Sequence, residues 1–182
     1  MNVRFIAALF FLLLPILMFA GCETIESDPR ETSAQTQADT EGAQTESPAR
    51  GGGENNTKTY SYRTEELYAY RGGNQIYGVI YVPENAGEKL PAVIFSHGFG
   101  GNYRVGAQYA EILAENGYAV YCFDFCGGSP GSRSDGSTLE MSVFTEKDDL
   151  DAVIETIRGL DYIDGDNIFL MGSSQGGAVS AI

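Results

Sequence analysis

Beyond residue 58, the hydrophobic and polar positions follow strand and helix periods in turn. Aromatic and β-branched residues alternate with polar ones over 60–71 and 75–82, and Gly72-Gly73-Asn74 between these segments predicts a β-hairpin. Short continuous apolar runs predict strands that are covered on both faces of a sheet. These runs span 91–95, 118–123 and 168–171.

Two segments between the apolar runs have the helical period. The first has an apolar face of four residues, Val105, Tyr109, Ile112 and Leu113. Asn116-Gly117 is its C-terminal stop signal. The second has an apolar face of five residues, Leu150, Val153, Ile154, Ile157 and Leu160, and residues 145–148 can cap its start. A hairpin followed by the order βαβαβ predicts an α/β fold whose later strands are parallel.

The first 22 residues have the pattern of an export signal. Arg4 precedes an apolar run over 5–20, which is shorter than the roughly 20 apolar residues that a spanning helix needs. Small residues before Cys22 resemble the lipobox of bacterial lipoproteins. The resemblance implies an acylated Cys22 that anchors an exported protein in the cell membrane, facing outside the cytoplasm. The alternative is an ordinary cleaved signal peptide with an incidental cysteine.

Residues 23–57 have a polar composition, with no aromatic residue and with Ile25 as the only branched aliphatic one. Such a segment cannot bury enough apolar surface to offset its ordering entropy. We therefore predict a disordered polar tether over 23–57, which leaves 58–182 for a folded domain.

Composition and charge exclude several classes of function. The chain has 25 acidic and 11 basic residues and a net charge of -14, so no stretch is basic enough for a nucleic-acid partner. No P-loop lysine and no G-x-G-x-x-G after a strand is present, which excludes the usual nucleotide sites. Cys122 and Cys126 would lie about 13 Å apart in an extended segment, which favours buried free thiols over a disulfide. Two cysteines and one distant histidine do not make a zinc site, and no metal or cofactor is predicted.

The clearest chemical motif is Gly172-Ser173-Ser174-Gln175-Gly176, which directly follows the last predicted strand. A nucleophile on a sharp strand-to-helix turn crowds the positions two residues before and after it, and glycine relieves both contacts. Ser174 is therefore the candidate nucleophile, with Gly172 and Gly176 as the glycines of the turn. The alternative is a glycine-rich turn without chemistry.

A second motif, residues 96–101 with the sequence Ser-His-Gly-Phe-Gly-Gly, follows the strand predicted over 91–95. Two such motifs after two strands, in this order, resemble the α/β-hydrolase family. In that family the loop after the third strand and the residue after the nucleophile form an oxyanion hole. The resemblance implies that Phe99 and Gln175 donate their backbone N–H groups to the developing oxyanion.

The Gly- and Ser-rich loop over 126–136 most resembles that of bacterial esterases of the cinnamoyl-esterase and serine-aminopeptidase-like branch. This resemblance implies a serine hydrolase that cleaves small-molecule carboxylic esters through an acyl-enzyme on Ser174, without a cofactor. One alternative is a lipoprotein that uses the fold as a non-catalytic binding module. Another is a peptidase or thioesterase on the same scaffold.

The catalytic base and acid are not assigned within this sequence. His97, the only histidine, lies in the oxyanion loop, whereas the resemblance implies a base from a later loop, so we interpret His97 as structural. Asp124, Asp135 and Asp148 precede the nucleophile and are interpreted as turn and cap residues. The sequence ends eight residues after Ser174. We therefore expect an α/β-hydrolase fold that is truncated after the nucleophile turn, and no activity from this part alone.

Overall fold

The computed structural model describes residues 59–182 and one short strand, Arg4–Phe5. The predictions of an export signal, of acylation at Cys22 and of a tether over 23–57 otherwise lie outside the described residues. Within 59–182, no helix combines the length and the apolar character that crossing a membrane requires.

The described residues form one mixed sheet in the order β1-β6-β4-β5-β3-β2. Its strands are β1 Arg4–Phe5, β2 Tyr62–Arg71, β3 Asn74–Pro83, β4 Leu90–Ser96, β5 Ala119–Phe123 and β6 Ile163–Gly172. β2 and β3 form the predicted hairpin, and Gly72 in its turn has φ +58, a value that glycine adopts without strain. β4 pairs in parallel with β5 and β6, which confirms the predicted topology.

Two longer helices cover the sheet, α1 Ala107–Glu115 and α2 Val143–Arg158, and the short α3 Gln175–Val179 follows β6. A 3₁₀ turn, Tyr103–Gly106, leads into α1. The predicted stop of α1 is confirmed, because Asn116 is its C-terminal cap and Gly117 follows with φ +91. The prediction that residues 145–148 cap the start of α2 holds only for Thr145. Ser142 is the N-cap, which accepts a hydrogen bond from Thr145 N and donates its own N–H to Thr145 Oγ1, so the helix begins earlier than predicted.

α2 buries the face that its sequence pattern predicts. Leu150, Val153 and Ile157 are at most 3% exposed and pack into the larger core cluster of the molecule. Ile154 and Leu160 pack against the margin of that cluster. This prediction is confirmed.

α1 is a helix as predicted, but its predicted buried face is wrong. Ala110 and Ala114 are completely buried, whereas Tyr109 and Ile112 are 36% and 61% exposed. The small side chains bring the helix close to the sheet. At Gly106, directly before α1, a Cβ atom would lie only 2.6 Å from Cys122 Sγ and from the Phe95 ring. The larger apolar side chains therefore stay outside, where they line a groove of about 300 Å³ beside β4 and β6.

Candidate active site

Ser174 lies in the turn between β6 and α3, with its side chain exposed. Its backbone has φ 51 and ψ -120, a strained combination for a residue with a Cβ atom. Two backbone hydrogen bonds hold the turn in place. Ser173 N donates to Ser96 O at 3.0 Å, and Gly176 N donates to Ser173 O at 2.9 Å. The sharp strand-to-helix turn expected from the G-x-S-x-G spacing is therefore present.

The glycines on either side of this turn occupy positions where a side chain has no space. A Cβ atom on Gly172 would lie 2.5 Å from the backbone of Gly176. A Cβ atom on Gly176 would lie 2.3 Å from the carbonyl oxygens of Ser96 and His97. Both contacts are with backbone, which cannot move aside as a flexible side chain can. The absence of a side chain at Gly176 thus allows the turn at Ser174 to pack directly against the end of β4.

The loop after β4 packs against the candidate nucleophile. A Cβ atom on Gly98 would lie 3.1 Å from Ser174 Cβ, so the glycine allows the loop to approach this closely. Gly100 N donates to Gly128 O, and Gly101 N donates to Gly98 O, which fixes the shape of the loop. The side chain of Phe99 is 73% exposed. The structure therefore brings the two sequence motifs together.

Two backbone N–H groups of interest belong to the residues that directly follow Gly98 and Ser174. Neither Phe99 N nor Gln175 N donates a hydrogen bond to another described residue. Gln175 is the first residue of α3, where a backbone N–H has no acceptor within its own helix. These are the two donors that the family resemblance implied.

His97 is buried, and both of its ring nitrogens are hydrogen-bonded. Phe125 N donates to Nε2 at 3.1 Å, so Nε2 carries no proton and Nδ1 donates to Gly98 O at 2.8 Å. Burial lowers the pKa of the imidazole, which further favours the neutral ring. No ring nitrogen is left to accept the proton of the Ser174 hydroxyl. The interpretation of His97 as a structural residue is confirmed.

The three aspartates considered as acids have different surroundings. The buried Asp124 accepts hydrogen bonds from Tyr103 N at 2.6 Å and from Arg133 N at 2.7 Å, and Asp135 accepts one from Gln75 N at 2.7 Å. Both join loop segments to the sheet, as their interpretation as turn residues predicted. Asp148 is exposed inside α2, so its interpretation as a cap is wrong.

Two buried acids on α2 were missed at the sequence level. Glu146 Oε2 accepts a hydrogen bond from Gln175 Nε2 at 2.6 Å, and burial raises the pKa of this carboxyl group. Asp149 is completely buried and pairs with Arg71 Nε at 2.5 Å. A signal was present, because Glu146 lies four residues before Leu150 and Asp149 lies four residues before Val153, so both fall on the apolar face of the helix.

The remaining predictions about site chemistry concern cysteines and metals. Cys122 and Cys126 are buried free thiols, as predicted, and burial raises the pKa of each to about 12. Over the described part of the chain, no three His, Cys, Asp or Glu side chains cluster in a way that could hold a metal ion. Cys22 lies outside the described residues.

A family model described as serine aminopeptidase, S33, matches residues 87–182, which is more than half of the chain. The chain belongs to this α/β-hydrolase family. The matched region contains both motifs, the loop after β4 and the nucleophile turn. The predicted family and fold class are therefore confirmed.

Solved structures with the same fold include a protein with ferulic acid bound and a thioesterase domain. Est1E from Butyrivibrio proteoclasticus, solved with ferulic acid bound, is 30% identical, with a TM-score of 0.54 over 62% of this chain and 44% of that one. DcsB in complex with its substrate analogue is 27% identical, with a TM-score of 0.56 over 66% and 40%. The thioesterase domain from the curacin biosynthetic pathway is 25% identical, with a TM-score of 0.52 over 64% and 39%.

Among curated proteins, the uncharacterized protein YcjY of Escherichia coli K12 is 30% identical over 107 residues. The match covers 57% of this chain and 34% of that protein. This chain thus spans about a third of the curated relative and about two fifths of the solved structures that it matches.

Proposed function

We propose that the chain provides the nucleophile and the oxyanion donors of a serine hydrolase that cleaves carboxylic esters of small molecules. The observation that carries this proposal is the exposed, strained Ser174, packed against Gly98, with the N–H groups of the residues after Gly98 and after Ser174 bonded to no other described residue. Est1E, which shares the fold at 30% identity, was solved with ferulic acid bound, and this carboxylic acid is the product that hydrolysis of a ferulate ester would release.

In the proposed reaction, Ser174 Oγ attacks the ester carbonyl and loses its proton, and the alcohol leaves after it has gained a proton. The product of this step is an acyl-enzyme, which water then hydrolyses. The N–H groups of Phe99 and Gln175 bind the oxyanion that develops at each step. Removing one such donor typically costs about 3 kcal/mol of transition-state stabilisation. His97 cannot act as the base, because both of its ring nitrogens are engaged in hydrogen bonds. A histidine base would therefore come from outside this sequence, which contains one histidine.

The test is covalent labelling of Ser174 by a fluorophosphonate probe in the longest open reading frame that contains this chain. We expect labelling there, its loss in Ser174→Ala, and its retention in Ser173→Ala, the matched control on the neighbouring exposed serine. Residues 58–182 alone should not label, because a serine without a base is a weak nucleophile. Absence of labelling in the longest reading frame would favour the non-catalytic binding module.

The choice between esters and other acyl substrates needs a second measurement. The thioesterase domain from the curacin pathway shares the fold at 25% identity, which makes a thioester the main competing substrate. We expect the longest reading frame to hydrolyse a p-nitrophenyl ester faster than the thioester or anilide of the same acyl group. Faster cleavage of the thioester or the anilide would replace the ester proposal with a thioesterase or a peptidase.

We further propose that the enzyme is exported and held on the membrane through acylated Cys22. The small residues before Cys22 and the polar segment after it support this proposal. In a bacterial host, radiolabelled palmitate should enter the unaltered chain and not the Cys22→Ala variant. Cleavage without palmitate incorporation would indicate an ordinary signal peptide.

A further inference from the structure

Glu146 is a buried acid beside the nucleophile turn that the proposed reaction does not use. It lies in the first turn of α2, is 1% exposed, and accepts a hydrogen bond from Gln175 Nε2 at 2.6 Å. We infer that Glu146 is a positioning residue, which holds Gln175 so that its backbone N–H and the Ser174 hydroxyl keep their working geometry. This inference rests on the proposed hydrolase function.

The turn needs such an anchor because its backbone is strained. A residue with a Cβ atom at φ 51 and ψ -120 keeps that conformation only where its surroundings enforce it. On the side of β4, the hydrogen bond from Ser173 N to Ser96 O does this. On the side of α2, the Gln175 amide donates to Glu146 and, at 3.8 Å, to Met141 Sδ just before the helix, and these are the polar side-chain contacts from this turn to that segment among the described residues.

The hydrogen bond acts on one of the two residues that are proposed to bind the oxyanion. Gln175 directly follows Ser174 and begins α3, so its N–H points away from its own helix. Rotation of the Gln175 peptide would redirect this N–H and, through the shared backbone, would move Ser174. A side chain fixed to α2 prevents that rotation.

Neither apolar packing nor an ion pair explains why an acidic residue is buried at position 146. A carboxyl group without a cation is costly to bury, and no ion pair of Glu146 forms within the described residues. The neighbouring Asp149 is itself acidic and further raises the pKa of Glu146. The side-chain partner of Glu146 is the Gln175 amide. We therefore assign the role of Glu146 to this hydrogen bond.

The test compares variants at both ends of the hydrogen bond, in the longest reading frame that contains the chain. Glu146→Met and Gln175→Met each remove the bond and should lower kcat about ten- to hundredfold, since a misplacement of about 1 Å can cost a hundredfold in rate. KM should change little, because the bond does not touch the bound substrate. Glu146→Gln still presents an acceptor to Gln175 and should recover kcat to near the unaltered value.

A double variant separates positioning from a general loss of structure. If the two residues act through one bond, Glu146→Met with Gln175→Met should lower kcat no further than either single change. Ile157→Val removes a methyl group from the buried face of the same helix, away from Gln175, and should leave kcat unchanged. Should Glu146→Met fold poorly, Gln175→Met and Glu146→Gln still decide the question.

The outcomes distinguish this inference from the proposed function. If Ser174 is not labelled in the unaltered protein, the hydrolase proposal itself fails. If Ser174 is labelled and Glu146→Met keeps full kcat, only the positioning role is overturned. Equal losses in Glu146→Gln and Glu146→Met would also overturn it, because the charge and not the hydrogen bond would then be required.

Discussion

The two faces of the sheet are covered by helices that pack in different ways. α2 inserts the branched side chains of Leu150, Val153 and Ile157 into the larger core cluster. α1 rests on the other face through Ala110 and Ala114, with Tyr109 and Ile112 left partly or largely exposed. Close approach of a helix excludes large side chains from the contact, so the most hydrophobic face of a helix is not always the buried one.

The two faces also differ in their polar content. The buried side of α2 carries Glu146, which accepts a hydrogen bond from Gln175 Nε2 in the turn after β6, and Asp149, which accepts one from Cys126 N in the loop after β5. The buried side of α1 carries only small apolar residues. α2 therefore combines core packing with polar contacts to two loops, whereas α1 contributes apolar contacts to the sheet. Four substitutions test this contrast.

Asp149→Ala should have the largest effect on stability. It removes the acceptor of Arg71 Nε and of Cys126 N, and breaking a buried ion pair from one side typically costs about 4 kcal/mol. The measurement is the free energy of unfolding in urea. The matched control is Asp151→Ala in the exposed Lys147–Asp151 pair on the same helix, which should change stability little. Similar losses for both aspartates would contradict the importance of burial.

Ile157→Ala should have the next largest effect, about 3 kcal/mol, because a completely buried side chain leaves a cavity between α2 and the sheet. The same unfolding measurement applies. A loss below about 1 kcal/mol would mean that α2 can collapse onto the sheet as closely as α1 does.

Ala114→Leu should destabilise the protein by about 2 kcal/mol, because the added atoms have no space under α1. The control is Glu111→Leu on the exposed side of the same helix, which adds a leucine where space is open. Unchanged stability in Ala114→Leu would show that the close contact of α1 with the sheet is not required.

Ile112→Ala should have the smallest effect, within about 0.5 kcal/mol, because this side chain is 61% exposed. It is the same chemical change as Ile157→Ala, made on the opposite helix. Comparison of the two free energies of unfolding is therefore the most direct measure of the difference between the faces. A loss of stability as large as that of Ile157→Ala would show that Ile112 is buried, as its place on the apolar face of the helix predicts.

Much of the fold and of the candidate site could be predicted from local sequence signals. The hairpin follows from alternation around Gly72-Gly73, and the turn at Ser174 follows from glycines two residues away on either side. Both depend on steric limits that act between near neighbours in the chain. Ser142 was not predicted as the N-cap of α2. It forms a reciprocal cap with Thr145, so the helix begins before the segment that the sequence pattern indicated.

The sequence by itself determined the order of the elements and the glycines of the turn at Ser174, because periodicity and short-range backbone sterics specify them, and its two motifs carried the resemblance to the family. Only the tertiary structure decided which face of α1 is buried, that Gly98 lies against Ser174, and that Glu146 meets Gln175. These contacts join residues that are far apart in the chain. Their distances depend on how closely each helix approaches the sheet, which is decided by the packing of all the elements together.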